Sequence, residues 1–418
     1  MCGTRMDVEL QLGASRCPPA TILLPILTIL AIAMVLCTPR LVGAQLVNPL
    51  APSPDSRPPL LSGELEAPRP FTTCPQPPVV VVFVEGFDYY NDSQHSLVDE
   101  ELKAKNDASV QPVSDLADGV SEFAAAYWGT RPHNTAAARC VVAWLSLWAK
   151  QGGMTGQTNN QGRNHIKFRL HQIAVAYLRV KEEPSLDPKH LATINEWLNE
   201  CATRHIKLWY ERKGILNEAG NLLYWGGSTV MAVGIASNDA SLFDWGIRYG
   251  YGNFVKTINA DGTLTPELGR GPRALKYHAF ATAALTMAAF LGEANGHRLA
   301  AMASASSGES ALAALVLKTV QGVRDPGIFK KLTRIEQERP KQHDCKGDCD
   351  LAALQIFTHL CGPDLDAWPD ACTAAADLTY AIQPSSRQLL GGFTSYFFGR
   401  QVPYPPASSV LCNDAVLC

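Results

Sequence analysis

Arg270, Arg273, Lys276, Tyr277 and His278 all fall within one short stretch, RGPRALKYHAF. The apolar residues around them already suffice to pack a helix, so the cations and the phenol are surplus to packing and mark a site for an anion. Arginine offers a planar fork suited to a carboxylate, and a cation beside a tyrosine lowers the phenol pKa toward a usable value. Arg270 and Tyr277 stand seven residues apart, two turns along one face of a regular helix. Pro272 suits a first helical turn and leaves Arg270 at or just outside the helix, and in either case both can face one cleft.

The elements that must carry these groups are two helices joined by a polar turn. The first opens at AGNLLYW (Ala219 to Trp225) and runs on through GGSTVMAVGIA. NADGTLTPEL announces the second, and the amphipathic run SLFDWGIRYGYGNF lies between them. From Pro112 onward apolar residues recur at three and four spacing, as in VSDLADGVSEFAAAYW, TAAARCVVAWLSLWAK and IKFRLHQIAVAYLRVK. Breaks such as RPHN, QGGMTGQTNNQG and EEPSLDP punctuate them. VVVVFVEG is the only strand-like run, so the chain reads as all-α, as a bundle or a toroid of antiparallel hairpins.

The 418 residues are 46% hydrophobic and 18% charged, ample for one large domain, with a net charge of −3. No basic run with interleaved aromatics appears, which argues against nucleic acid, yet a locally positive cleft can still hold a polyanion. Residues 19–37 form an apolar run, followed by the small residues Val42, Gly43 and Ala44. Two readings stand: a signal peptide ending at Ala44, or an uncleaved anchor that would make the membrane a partner. Both send the remainder out of the cytosol, to a secreted or periplasmic location. Removing Cys2, Cys17 and Cys37 from the 12 cysteines leaves nine for an oxidising compartment, an odd number that leaves Cys201 or a tail cysteine free. HDCKGDC can be drawn as a metal site with His343, but disulfides are the better use, so no metal is assigned. Asn91, Asp92 and Ser93 form a glycosylation sequon. Nucleophile elbows, phosphate loops and dinucleotide fingerprints are absent, and no cofactor is called for.

GNLLYWGGSTVMAVGIASNDASLFDW, then DGTLTPEL and RGPRALKYHAF, with CVVAWLSLWA and HQIAVAYLRVK upstream, resemble the alginate lyases of the helical toroid type over roughly residues 70 to 300. The resemblance implies an incomplete (α/α) toroid over residues 80–395, after a Pro/Ser-rich extended segment at 45–79 and before a Cys-containing tail at 396–418. It implies a disulfide between Cys74 and Cys140, an acidic polysaccharide as substrate and a monomer. It places DEELKAKNDASVQ where the family has a mobile lid; a solvated loop is the other reading. By match to the family's motifs, Asn221 and Arg270 hold the substrate carboxylate and Tyr277 carries the protons. Tyr224 and Trp225 become rim residues for pyranose stacking, with Trp144, Trp148, Trp209 and Tyr210 as further aromatic candidates. Arg163, Arg273 and Lys276 become contacts for carboxylates at neighbouring subsites, with His278 beside them.

The implied chemistry is β-elimination: the proton on carbon 5 of a uronic acid leaves, then the oxygen on carbon 4 departs. That needs the carboxylate neutralised, a base near carbon 5 and an acid at the leaving oxygen. The family reads Asn-His before its Tyr-Trp, and here the second position is Leu222. Three outcomes follow. Tyr277 alone suffices on mannuronate-rich alginate or glucuronan, where one group can act as base and then acid on the same side of the sugar. Alternatively another histidine, His278 or His165, substitutes. In the third, catalysis is lost and the cleft only binds polyuronate.

Overall fold

A computed structural model of the chain describes residues 45–52, 73–130, 132–341, 349–362, 366–382, 386–392 and 394–398. From Leu46 onward they form one compact unit. The leader and the last cysteines, Cys412 and Cys418, lie outside the described residues, as do His343 and Cys345 of HDCKGDC.

The unit is all-α. Its helices are α1 (Glu100–Trp128), α2 (Thr135–Lys150), α3 (Asn160–Leu178), α4 (Pro188–Ala202), α5 (Leu208–Lys213), α6 (Asn221–Ser237), α7 (Ala240–Trp245), α8 (Gly252–Thr257), α9 (Thr265–Leu268), α10 (Ala274–Glu293), α11 (Ala311–Arg324), α12 (Gly327–Thr333), α13 (Leu354–Leu360), α14 (Pro369–Ile382) and α15 (Thr394–Phe398). α1, α3, α6 and α10 pack each on the next as an inner ring, and α2, α4 and α11 cover them from outside. This is the toroid of helical hairpins. α4 passes into α5, and α7 into α8, through π-helical turns at Thr203–Lys207 and Gly246–Tyr251.

Local chemistry explains the ends. Asp99 caps α1 by accepting from Leu102 N at 3.0 Å, and Asn159 caps α3 by accepting from Gly162 N at 2.8 Å. α6 starts after Gly220, whose φ of 143° favours glycine and whose missing side chain cannot cap. The Glu267 carboxylate of α9 takes over, accepting from Asn221 N at 2.7 Å. α6 is buried on nearly every side, and its glycines permit that. A Cβ on Gly227 would stand 2.6 Å from Gly250 Cα, so the two backbones touch where the second π-helical turn crosses α6.

Two sequence expectations change. VVVVFVEG is no strand: Val79 and Phe83 stay 77% and 65% exposed, and the backbone amides it accepts come from the turn after α2, Met154 (to Val81 O, 2.8 Å) and Gly156 (to Val82 O, 2.9 Å), and not from a paired strand. DEELKAKNDASVQ is helix and not loop, because Asp99 caps a helix that begins twelve residues before Pro112 and carries that proline inside it. The segment 45–52 is docked, with Leu46 and Leu50 in the core and Leu46 N donating to Asn238 Oδ1 at 2.9 Å. Cys74 and Cys140 form the expected disulfide (S–S 2.03 Å), Cys361 pairs with Cys372, and Cys201 is free and buried.

Two buried histidines tie the inner ring together. His171 of α3 bonds Leu389 O (2.6 Å) and Ser228 Oγ (2.9 Å). His278 of α10 accepts from Leu264 N at 2.8 Å through Nε2, so its proton sits on Nδ1, donated to Ala274 O at 2.8 Å. Burial pushes both imidazoles down to about 4.

Gly227→Val forces the Gly227–Gly250 contact apart and is expected to cost about 2–3 kcal/mol, read as a fall in Tm with the helical signal retained. Above pH 6.5 both histidines are neutral in the folded and unfolded chain. Between there and about pH 4 only the unfolded chain takes up protons, so stability falls with pH, by on the order of 3 kcal/mol per histidine. Urea unfolding at pH 7, 6, 5 and 4 measures this, and a flat profile would contradict it.

Candidate active site

The inner helices α3, α6 and α10 all begin at one end of the ring, and their first turns line a cleft of about 470 Å³. Asn160, Gln161, Asn164 and Phe168 come from α3, and Asn221 and Leu222 from α6. Arg270, Arg273, Lys276, Tyr277 and Phe280 come from the turn into α10 and its first turns. Asp88, Tyr89, Tyr90 and His95 precede α1, while Asp350 and Arg387 arrive from the carboxy-terminal part. Unsatisfied amides and aligned peptide dipoles make such an end favourable for an anion. Four cationic side chains face two carboxylates, which adds to that field.

At the centre, Glu267 is 1% exposed and organises its neighbours. Asn221 Nδ2 donates to both of its oxygens (3.0 and 2.8 Å), and Arg270 Nε lies 3.9 Å from Oε2. Burial raises the Glu267 pKa, against the Asn221 hydrogen bonds and the Arg270 charge that lower it. The buried carboxylate thus holds the amide and the guanidinium on one wall. The Gly271–Arg273 turn breaks the helix before α10, so Arg270 folds back and its guanidinium covers the Tyr277 ring at 4.5 Å. Arg270 Nη1 also donates to Gln94 O at 3.2 Å.

Tyr277 shares a hydrogen bond of 3.0 Å with Tyr90, whose ring stacks on His95. Asp92 shapes that loop by accepting from Gln94 N (3.1 Å), Ser96 N (2.7 Å) and Leu97 N (2.7 Å). The expectation of a lowered Tyr277 pKa is reversed: burial raises it first, Tyr90 raises it further, and Arg270 and Arg273 only offset part of this. The resting group is a protonated phenol.

The structure therefore brings Asn221, Arg270, Tyr277, Arg273 and Lys276 into one cleft. Arg273 is tied to Glu338 (3.0 Å), whereas Lys276 has no ion pair within 4 Å among the described residues. Four other candidates are not there. Tyr224 and Trp225 are 1% and 0% exposed, because they occupy the inward face of a helix buried on nearly every side, Trp225 against Phe280 and Tyr224 against Phe254. His278 points away from Tyr277 and is consumed by Leu264 and Ala274. Arg163 turns outward over Trp209 at 4.9 Å and steadies Asn160 Oδ1 at 3.1 Å. Trp144, Trp148, Trp209 and Tyr210 are likewise absent from the lining; the aromatic walls are Tyr89, Tyr90, Phe168, Tyr277 and Phe280. His165 bonds Asn106 at 3.0 Å outside the cleft, leaving neither histidine to substitute. Leu222 sits on the cleft wall at 36% exposure.

Sequence reasoning missed Glu267, Tyr90, Asn164, Asp350 and Arg387. TPEL carried a partial signal for Glu267, an acid in the first turn of a short helix, but nothing in it pointed to the start of α6, 46 residues earlier. Arg387 carried none. It reaches the cleft because His171 and Arg179 of α3 hold the carbonyls of Leu389, Leu390 and Gly391, and Asp350 pairs with it at 2.6 Å.

Comparison with known proteins agrees with this geometry. The sequence model of the alginate lyase family matches residues 88–329. A polysaccharide lyase of Stenotrophomonas maltophilia is 32% identical over 282 residues, 66% of this chain and 81% of that one. An alginate lyase of Pseudomonas fluorescens is 34% identical over 60% of this chain and 64% of its own length. The fold superposes on alginate lyase A1-III of Sphingomonas species A1, with TM-score 0.61 and 20% identity over 81% of this chain and 88% of that one. A variant of A1-III complexed with a tetrasaccharide gives TM-score 0.62 at 19% identity over 82% and 88%. On the matched sequence and the shared all-α toroid, this chain belongs to the alginate lyase family of polysaccharide lyases.

Proposed function

We propose that the protein cleaves β-1,4-linked polyuronates, mannuronate-rich alginate or glucuronan, by β-elimination in the cleft at the helix amino termini. The observation that carries this reading is the joint placement of Asn221, Arg270 and Tyr277 on one wall, with Arg270 against the Tyr277 ring. A uronate carboxylate entering here meets the Arg270 guanidinium beside the Asn221 amide and a positive helix end, so charge developing on removal of the carbon 5 proton is stabilised. Tyr277 rests protonated, fit to protonate the departing oxygen on carbon 4. To act first as base it must lose that proton. That proton leaves to bulk water; Arg270 and Arg273 favour the phenolate, whereas burial and the hydrogen-bonded Tyr90 oppose it, and the proton then taken from carbon 5 is the one passed to the oxygen on carbon 4. One group working in turn as base and acid suits a substrate whose proton and leaving oxygen lie on the same side. Guluronate, with the two on opposite sides, needs a second group, and Leu222 cannot be one.

A second reading is favoured by Leu222 itself and by the raised Tyr277 pKa: a relative that binds polyuronate and turns it over slowly or not at all. The disulfides and the apolar run of residues 19–37 support export to the periplasm or exterior; we propose that the protein acts there as a monomer on an acidic polysaccharide.

Incubation with polymannuronate, polyguluronate and glucuronan, followed by ultraviolet absorbance of the unsaturated product, tests the assignment. Product is expected from the first or third and not the second, and Tyr277→Phe is expected to lower the rate about 10²–10⁴-fold. Binding without product would select the second reading, and neither would overturn both. Leu222→His returns a second proton carrier to the wall and is expected to raise kcat about tenfold or more. An unchanged kcat would show that residue 222 is not what limits turnover.

A further inference from the structure

Lys167 lies one layer behind the cleft, on α3, and is 1% exposed. Its ammonium has no carboxylate within 4 Å among the described residues. It donates instead to Asn164 Oδ1 at 3.2 Å and to Tyr210 OH at 3.2 Å, and it lies 5.3 Å from the Tyr210 ring centre and 5.9 Å from that of Phe168. An unpaired buried ammonium is costly, and a methionine of similar volume would pack the same niche without that cost. Stability therefore does not account for the charge.

Asn164 does account for it. Its side chain lines the cleft, and a carboxamide in such a wall can present either its oxygen or its NH2 to a ligand. For a polyanion only the NH2 is useful, since the oxygen would repel it. In its charged form Lys167 has three donors and no acceptor, so it binds the oxygen alone and turns the amide NH2 outward. It also sets a positive charge behind that wall, in a medium that screens it weakly. Burial, with a smaller push from Arg163, lowers its pKa to about 7, so at neutral pH the amine is charged in only part of the molecules, and it donates to the Asn164 oxygen in either form.

We infer that Lys167 is a positioning residue that fixes the Asn164 carboxamide with its NH2 toward the cleft, as a hydrogen-bond donor for an acidic sugar. The inference rests on the polyuronate reading above. Its test therefore reads affinity for polymannuronate as well as turnover, and it works whether the protein is a lyase or a binder. Lys167→Met is expected to weaken binding and raise KM about tenfold, with kcat changed less than threefold and Tm equal to or above that of the parent. Asn164→Ala, on the half-exposed cleft wall, is expected to do the same. The double variant is expected to be no weaker than Asn164→Ala, because the lysine acts only through the amide.

Unchanged affinity in Lys167→Met, or additive losses in the double variant, would overturn the inference. So would a Lys167→Met variant that loses Tm and affinity together while Asn164→Ala keeps full affinity. Failure of the parent protein to bind or cleave any polyuronate would instead remove the functional reading, and with it the ligand for Asn164.

Discussion

The buried Glu267 carboxylate is the contact on which the site depends. It caps a helix that has no capping side chain of its own, since Gly220 precedes Asn221, and through the same two oxygens it holds the Asn221 amide and faces the Arg270 guanidinium. A carboxylate 1% exposed is expensive to desolvate, and the price is offset by three hydrogen bonds from the Asn221 amide groups and by the nearby Arg270 charge. One interaction therefore joins the start of α6 to the turn before α10 and sets the two groups suited to a sugar carboxylate side by side.

The toroid adds to this by geometry. Its inner helices start at one end, so partial positive charge from several helix termini adds up where the chain also places Arg270, Arg273, Lys276 and Arg387. A protein of net charge −3 thus presents a cationic cleft. Neutral groups then do the fine work. Burial keeps Tyr277 a phenol and leaves His171 and His278 as structural ties that carry no charge at neutral pH.

Legibility in the sequence followed the range of the interactions. Arg270 and Tyr277 could be read because their relation is local: two helical turns, interrupted by Pro272, and the interruption is what folds the guanidinium onto the ring. The Cys74–Cys140 pairing and the roles of Asn221 and Leu222 came from family likeness and not from spacing. Tyr224 and Trp225 misled for a plain reason. They follow Asn221 closely, but successive residues on a helix point about 100° apart, and on a helix walled by neighbours that direction leads into the core. Asp99 likewise outweighed a polar composition that read as a loop, because a cap decides where a helix starts.

What the sequence determined by itself was the helical class, through three-and-four periodicity, and the identity of the groups able to handle an acid, through the crowding of cations and a phenol in one apolar stretch. Only the tertiary structure decided which of them share a cleft. Tyr90 reaches Tyr277 across 187 residues, Arg387 is carried in by carbonyl contacts to α3 more than 200 residues away, and Glu267 meets Asn221 across 46. Such contacts leave no periodic trace in the chain, because they are set by how the ring closes and by which buried polar groups must find partners once it has.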